Sequence, residues 1–209
     1  MKIANHHSQW LFVALFLLGA MAFPGCSLVG GGGSAGKLRS QSLRTDALVL
    51  PADYSVAVFS TDRIAGTSLM LSSVPIEQVV DGTIVNGQIL HIELLWVPKA
   101  GETPMDPAAT NASIRHIVIS NGEVGIYGGA GFARPSGDPE HNNKVTFTLR
   151  DASLALQEST AGFVDLLSPF RLTGTFVASA DAKRARQLSL GASQLVTNAL
   201  GKTRYVMVR

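Results

Sequence analysis

Asn121-Gly122 stands between two apolar-rich runs, residues 114–120 and 123–127, and no other dipeptide constrains the fold as tightly. Both residues tolerate the positive φ angles that a type I′ turn needs at its central positions, and the twist of that turn matches that of paired strands. The segment reads as an antiparallel hairpin. Much of the remaining chain repeats the β pattern. Residues 54–60 and 68–73 are short apolar-rich runs separated by polar residues and Gly66. Residues 89–97 place Leu90, Ile92, Leu94 and Trp96 on one face and Ile89, His91, Glu93, Leu95 and Val97 on the other, which predicts an interior strand ended by Pro98 and Gly101. Val145, Phe147 and Leu149 alternate with Thr146, Thr148 and Arg150, and residues 151–156 extend that strand or return from it. Residues 172–179 and 187–190 would pair around the polar stretch 181–184, and Tyr205 and Met207 would lie in a last strand.

Helical stretches are few. Residues 75–80 fit one helical turn, with Ser73 as a cap and Asp81-Gly82 ending it. Residues 161–167 suggest a short helix capped by Thr160 and stopped by Pro169. Residues 192–200 fit another, with Leu188, Ala192, Leu195 and Ala199 as its apolar stripe and Gly201 in the C-terminal glycine position. The expected fold is therefore mainly β, an antiparallel sandwich or a curled sheet with two short helices, with an α+β arrangement as the alternative.

The N-terminal region has a different logic. Lys2 is the only Lys, Arg, Asp or Glu before Trp10, and residues 10–22 are apolar apart from Gly19. A cationic start, an apolar core of about 7–15 residues and a small residue before the cut define an export signal. The run falls short of the roughly 20 apolar residues that span a bilayer. Phe23-Pro24-Gly25-Cys26 resembles the lipobox of bacterial lipoproteins, with Phe23 in the place of the usual leucine. The resemblance implies that Cys26 receives a diacylglyceryl group and becomes the mature N-terminus. Cys26 is the only cysteine, and it falls where the apolar run ends. Secretion without lipid, or an uncleaved apolar anchor, are the alternatives. Two or more acyl chains give durable attachment, because each buried methylene contributes about 0.8 kcal/mol. Gly30 to Gly33, Ser34, Ala35 and Gly36 then form a flexible coil. The expected organisation is a signal over 1–25, a lipidated cysteine and tether over 26–42, and one globular domain over 43–209. By the sorting rule of diderm bacteria, Ser27 rather than Asp after the cysteine points to the outer membrane, the domain facing the periplasm or the exterior.

Composition narrows the function classes. The net charge is +2 and falls to +1 when Lys2 leaves with the signal, so no general electrostatic pull toward nucleic acid is expected despite a pI near 8.9. Without a cysteine the domain has no thiolate metal site, and no cofactor is expected.

Several residue groups invite a chemical reading. His91 and Glu93 share a strand face, and His116 on the neighbouring hairpin would approach them if the strands pair, a weak candidate zinc set. No HExxH, HxH or DxD pattern accompanies them, so a structural polar pair is the plainer expectation. Residues 125–137 are glycine-rich and read as a loop in which Phe132 and Arg134 would meet a ligand or partner. Ser34 satisfies GxSxG and SxxK by letter, but it lies in the tether, without the strand and helix that a nucleophile elbow requires. Gly201-Lys202-Thr203 has a Walker ending, yet Val196 occupies the leading glycine position. Asp138, Glu140 and His141 cluster in a polar loop, and Lys183-Arg184-Ala185-Arg186 reads as a solvated turn able to touch anionic lipid or polysaccharide. The segments 94–101, 122–135 and 196–201 resemble uncharacterised envelope lipoproteins of planctomycete-type bacteria, which implies a location and no site. The expected role is a membrane-anchored, non-catalytic envelope module contacting protein or polysaccharide, with an envelope hydrolase, metal-dependent or not, as the alternative.

Overall fold

A computed structural model describes residues 36–44, 48–62, 66–98 and 109–203. Nine strands run β1 (Lys37–Ser42), β2 (Val49–Asp53), β3 (Val56–Asp62), β4 (Gly66–Ser72), β5 (Gly87–Leu94), β6 (Ala112–Ser120), β7 (Glu123–Ser136), β8 (Lys144–Ser159) and β9 (Phe170–Ala180). Helix α1 (Ile76–Asp81) joins β4 to β5, and α2 (Ala182–Leu200) follows β9.

From β3 to β9 each strand pairs antiparallel with the next. The end of β9 then meets β3 in parallel, Val58 opposite Ser179 and Phe59 opposite Ala180, so the pairings close into a ring. Lower on the same edge of β9 lies β1, from Ser42 opposite Phe170 to Lys37 opposite Thr175, with β2 on its far side. The fold is mainly β, one antiparallel sheet curled until it closes, with two helices. We call the end where β9 finishes upper and the end where it begins lower.

Alternation along the strands separates two apolar layers. Leu38, Phe59, Leu69, Leu71, Leu90, Ile92, Phe147 and Phe176 point inward and fill the barrel. Val58, Met70, Ile89, Ile117, Val124 and Ile126 point outward beneath α1 and α2, which bring Val79, Leu188, Ala192 and Val196. Gly191 lets the helices cross closely, since a Cβ there would lie 3.0 Å from the Val79 carbonyl oxygen. An apolar interior with an outer wall for the most part helix-covered or polar is the reverse of a membrane-spanning barrel, whose apolar side faces lipid.

The hairpin stands as read: Asn121 and Gly122 link β6 to β7 at φ 53° and 79°, the type I′ signature. A Cβ on Gly122 would meet nothing within 4 Å, so replacing it isolates the backbone cost. Gly122→Val should cost about 1 kcal/mol or more, lowering the thermal midpoint by roughly 2–4 °C. An unchanged midpoint would contradict the turn geometry.

Other expectations are corrected. Residues 37–42 belong to β1 rather than to the tether, because Leu38, Ser40 and Ser42 turn inward while Lys37, Arg39 and Gln41 turn outward. Residues 187–190 are not a strand, and Lys183 to Arg186 are not a turn. Both lie in α2, whose start is set by Asp181 accepting from the Arg184 amide at 2.9 Å. Residues 161–167 form no helix, because Asp165 Oδ1 captures the amides of Leu167 and Ser168 in a turn. Ser73 does not cap α1; its Oγ accepts from the Gln88 amide at 2.8 Å. Tyr205 and Met207 lie outside the described residues.

Candidate functional site

Two polar features stand out, one inside the barrel and one on its surface. In the lower half of the interior, His116 and Tyr127 face each other across β6 and β7, and Phe170 from β9 packs edge-on to both. His116 Nε2 lies 3.0 Å from Gln88 Oε1, so Nε2–H donates and Nδ1 is left as a buried acceptor without a partner. Burial lowers the His116 pKa from 6.5 to about 4 and keeps the ring neutral. The Tyr127 hydroxyl turns away from this histidine and donates to Asp165 Oδ1 at 3.0 Å, and Arg44 meets Asp165 Oδ2 at 3.3 Å. Burial raises the Tyr127 and Tyr54 phenols well above their usual range. The chain over 160–169 plugs this end, with the Phe163 ring seated where a Cβ on Gly125 would lie 2.3 Å away. Because Tyr127 is committed to Asp165 and His116 to Gln88, this cluster closes the barrel rather than pairing a nucleophile with a base.

The candidate metal set does not assemble. His91 lies opposite Arg115, whereas His116 lies opposite Leu90, one residue along, so the imidazoles emerge on opposite faces of the sheet. His91 is 2% exposed on the outer face, 3.1 Å from Ser68 Oγ and 3.8 Å from Glu93 Oε1. Burial, then the charge of Arg115, lowers its pKa to about 4. Among the described residues no three His, Cys, Asp or Glu side chains gather to hold a metal. Asp138 and His141 bond to each other at 2.8 Å on the surface, and this contact raises the His141 pKa.

The surface feature involves two residues singled out in the sequence, with one correction. Phe132 and Arg134 are not in a loop but on the upper half of β7, paired with Arg150 and Thr148 of β8. The glycines around them serve close strand approach: a Cβ on Gly129 would lie 1.9 Å from the Ser153 carbonyl oxygen, and one on Gly131 2.4 Å from Ala152 Cβ. Both side chains point outward, since intervening Ala133 is buried in the barrel. Phe132 is half-buried because Trp96 packs edge-to-face against it, centroids 6.0 Å apart. Trp96 is held there by Asn111, whose Nδ2 donates to the Trp96 and Ala133 carbonyls at 3.1 and 2.8 Å. Leu95, Trp96 and Val97 remain 66%, 38% and 36% exposed. The result is a supported aromatic ridge beside a cation.

Trp96 as a surface residue was missed because it extends the inward alternation of β5, which ends at Leu94. Pro98 soon after was the available signal. The polar group Tyr127–Asp165–Arg44 at the lower end joins residues 121 apart in sequence, and nothing local announces it. Cys26 and Ser34 lie outside the described residues. No protein-family model, curated protein or solved structure matches the chain.

Proposed function

We propose that the chain is a lipid-anchored protein of the bacterial cell envelope, a non-catalytic module that meets other envelope components through the exposed face carrying Trp96, Phe132 and Arg134. One observation supports this reading above others: large apolar side chains rest in solvent, fixed by Asn111, next to an exposed arginine. Tryptophan and arginine are enriched where surfaces bind. In the interior cluster Tyr127 is bonded to Asp165 and His116 Nε2 to Gln88, so the two are not paired as nucleophile and base, which favours a module over a hydrolase.

The anchor is tested by expressing the full chain in a diderm host and weighing its mature N-terminus. A diacylglyceryl cysteine at Cys26 is expected, and Cys26→Ser should move nearly all of the protein from the membrane to the soluble fraction. An unmodified N-terminus in processed protein, or full membrane retention of Cys26→Ser, would refute it. For the module, crosslinking of the intact protein should capture contacts that Phe132→Ala and Arg134→Ala lose. Turnover of an esterase, phosphatase or glycosidase substrate by the purified protein would favour a hydrolase instead.

A further inference from the structure

The outer wall of the barrel carries more than the aromatic ridge. Outward positions of β1, β8, β9 and upper β7 place Lys37, Arg39, Arg134, Lys144, Arg150 and Arg171 on one continuous exposed face. The register gives its extent. Arg134, Thr148, Thr175 and Lys37 form one rung across four strands, about 14 Å at the usual strand spacing. Phe132 and Arg150 sit one step along, so the ridge is the border of the cationic wall. Two carboxylates interrupt it: Asp53 opposite Lys37, and Asp151, 3.6 Å from Arg171. Asp138 and Glu140 follow β7 at the margin, with Asp138 turned to His141. With a chain net charge of only +2, this is a local concentration of cations and not a general basicity.

We infer that this face, cations with the Trp96–Phe132 ridge at its edge, docks on the anionic headgroups of the membrane that holds the anchor, an inference that rests on the anchored reading above. Three independent features converge. Arginine and lysine meet anionic phosphates, with roughly five-fold tighter binding for each cation near the surface. Tryptophan, with its apolar body and polar N–H, is the side chain that favours the bilayer interface, and exposed Leu95 and Val97 flank it. The chain also enters the barrel on this wall. Gly36 is pressed against β9, where a Cβ would lie 1.7 Å from the Thr175 carbonyl oxygen, and Lys37 follows it. Cys26 stands ten residues before Gly36, a reach of at most about 35 Å. A lipid there keeps this face at high local concentration over headgroups, so weak contacts suffice.

The chain has two tryptophans, Trp10 in the apolar signal run and Trp96, which makes the test direct. The full-length protein carrying Trp10→Phe has Trp96 as its only tryptophan whether or not the signal is removed. It is reconstituted into phosphatidylcholine vesicles with or without about one third phosphatidylglycerol, using acyl chains brominated near the headgroup. Quenching of Trp96 by the brominated lipid is expected in anionic vesicles, with protection from acrylamide, and both should fade in high salt. Arg39→Glu, Arg134→Glu and Arg150→Glu together should raise the anionic lipid needed for half-maximal quenching by about a hundred-fold or more. Mass spectrometry of the N-terminus is read in parallel. Quenching without lipid on Cys26 supports the docking face while the anchor reading fails. A lipidated chain on anionic vesicles whose Trp96 stays fully open to acrylamide overturns the docking face and spares the anchor. Acrylamide protection that needs an added envelope protein fraction, without lipid quenching, assigns the face to a protein partner and also overturns it.

Discussion

Acidification from pH 7 to pH 4 is expected to remove a large part of the stability of this domain. His91 and His116 are both buried and both have folded-state pKa values near 4, below the ordinary 6.5. For each, the folded state binds its proton later than the unfolded chain does. The stabilisation is therefore fully present above pH 6.5 and drains away as the pH falls toward 4. A shift of this size is worth on the order of 3 kcal/mol per histidine, against a total of about 5–15 kcal/mol for a typical domain. The causes differ. His116 meets the aromatic rings of Tyr127 and Phe170, so burial alone opposes its charge. The charge of His91 is opposed by burial and then by Arg115. His141 has the opposite sign through Asp138, but it is fully exposed and contributes little. Urea midpoints measured from pH 7 to 4 should fall mainly between 6.5 and 4.5, above the range where ordinary carboxylates titrate. His116→Met, which keeps an apolar side chain of similar size, should remove about half of that slope. A midpoint that stays flat across this range would mean that the histidines are not buried as described.

The elements legible in the sequence were those whose causes are local. Asn121-Gly122 specifies its turn by its own φ preferences, and Val145, Phe147 and Leu149 specify a strand by alternation. Long-range causes stayed hidden. The closure of the sheet depends on Val58 meeting Ser179 across 121 positions, which no periodicity encodes. Gly129 and Gly131 look like loop glycines, yet they are required because β8 passes within touching distance. Lys183 and Arg186 suggested a turn because charge outweighed the Asp181 cap just before them. The same division holds for the candidate face. Phe132 and Arg134 were visible as residue types, but their common ground with Trp96, Arg150 and Lys37 exists only once four strands are in register.

Asp165 is the residue whose loss should cost most in the segment that closes the lower end. Its Oδ1 accepts from the Tyr127 hydroxyl at 3.0 Å and from the Leu167 and Ser168 amides at 3.0 and 2.9 Å, while Oδ2 faces Arg44 at 3.3 Å. Tyr127 is 1% exposed, so Asp165→Ala would strand its hydroxyl in an apolar setting together with two largely buried amides. Each buried group left without a partner costs about 1–3 kcal/mol, partly relieved as water enters, whereas the half-exposed Arg44 pair contributes at most about 1 kcal/mol. A net loss of roughly 3 kcal/mol is expected, visible as a lower urea midpoint. Two further variants separate the contributions. Asp165→Asn retains an acceptor for Tyr127 and the amides and should recover most of the loss, showing that hydrogen bonding outweighs the ion pair. Tyr127→Phe removes the donor, so in the Asp165→Ala background it should cost less than in the native protein, by about 1 kcal/mol or more. Strict additivity of these two changes would show that the tyrosine and the aspartate are not coupled, and that Asp165 acts through the Leu167 and Ser168 amides rather than through Tyr127.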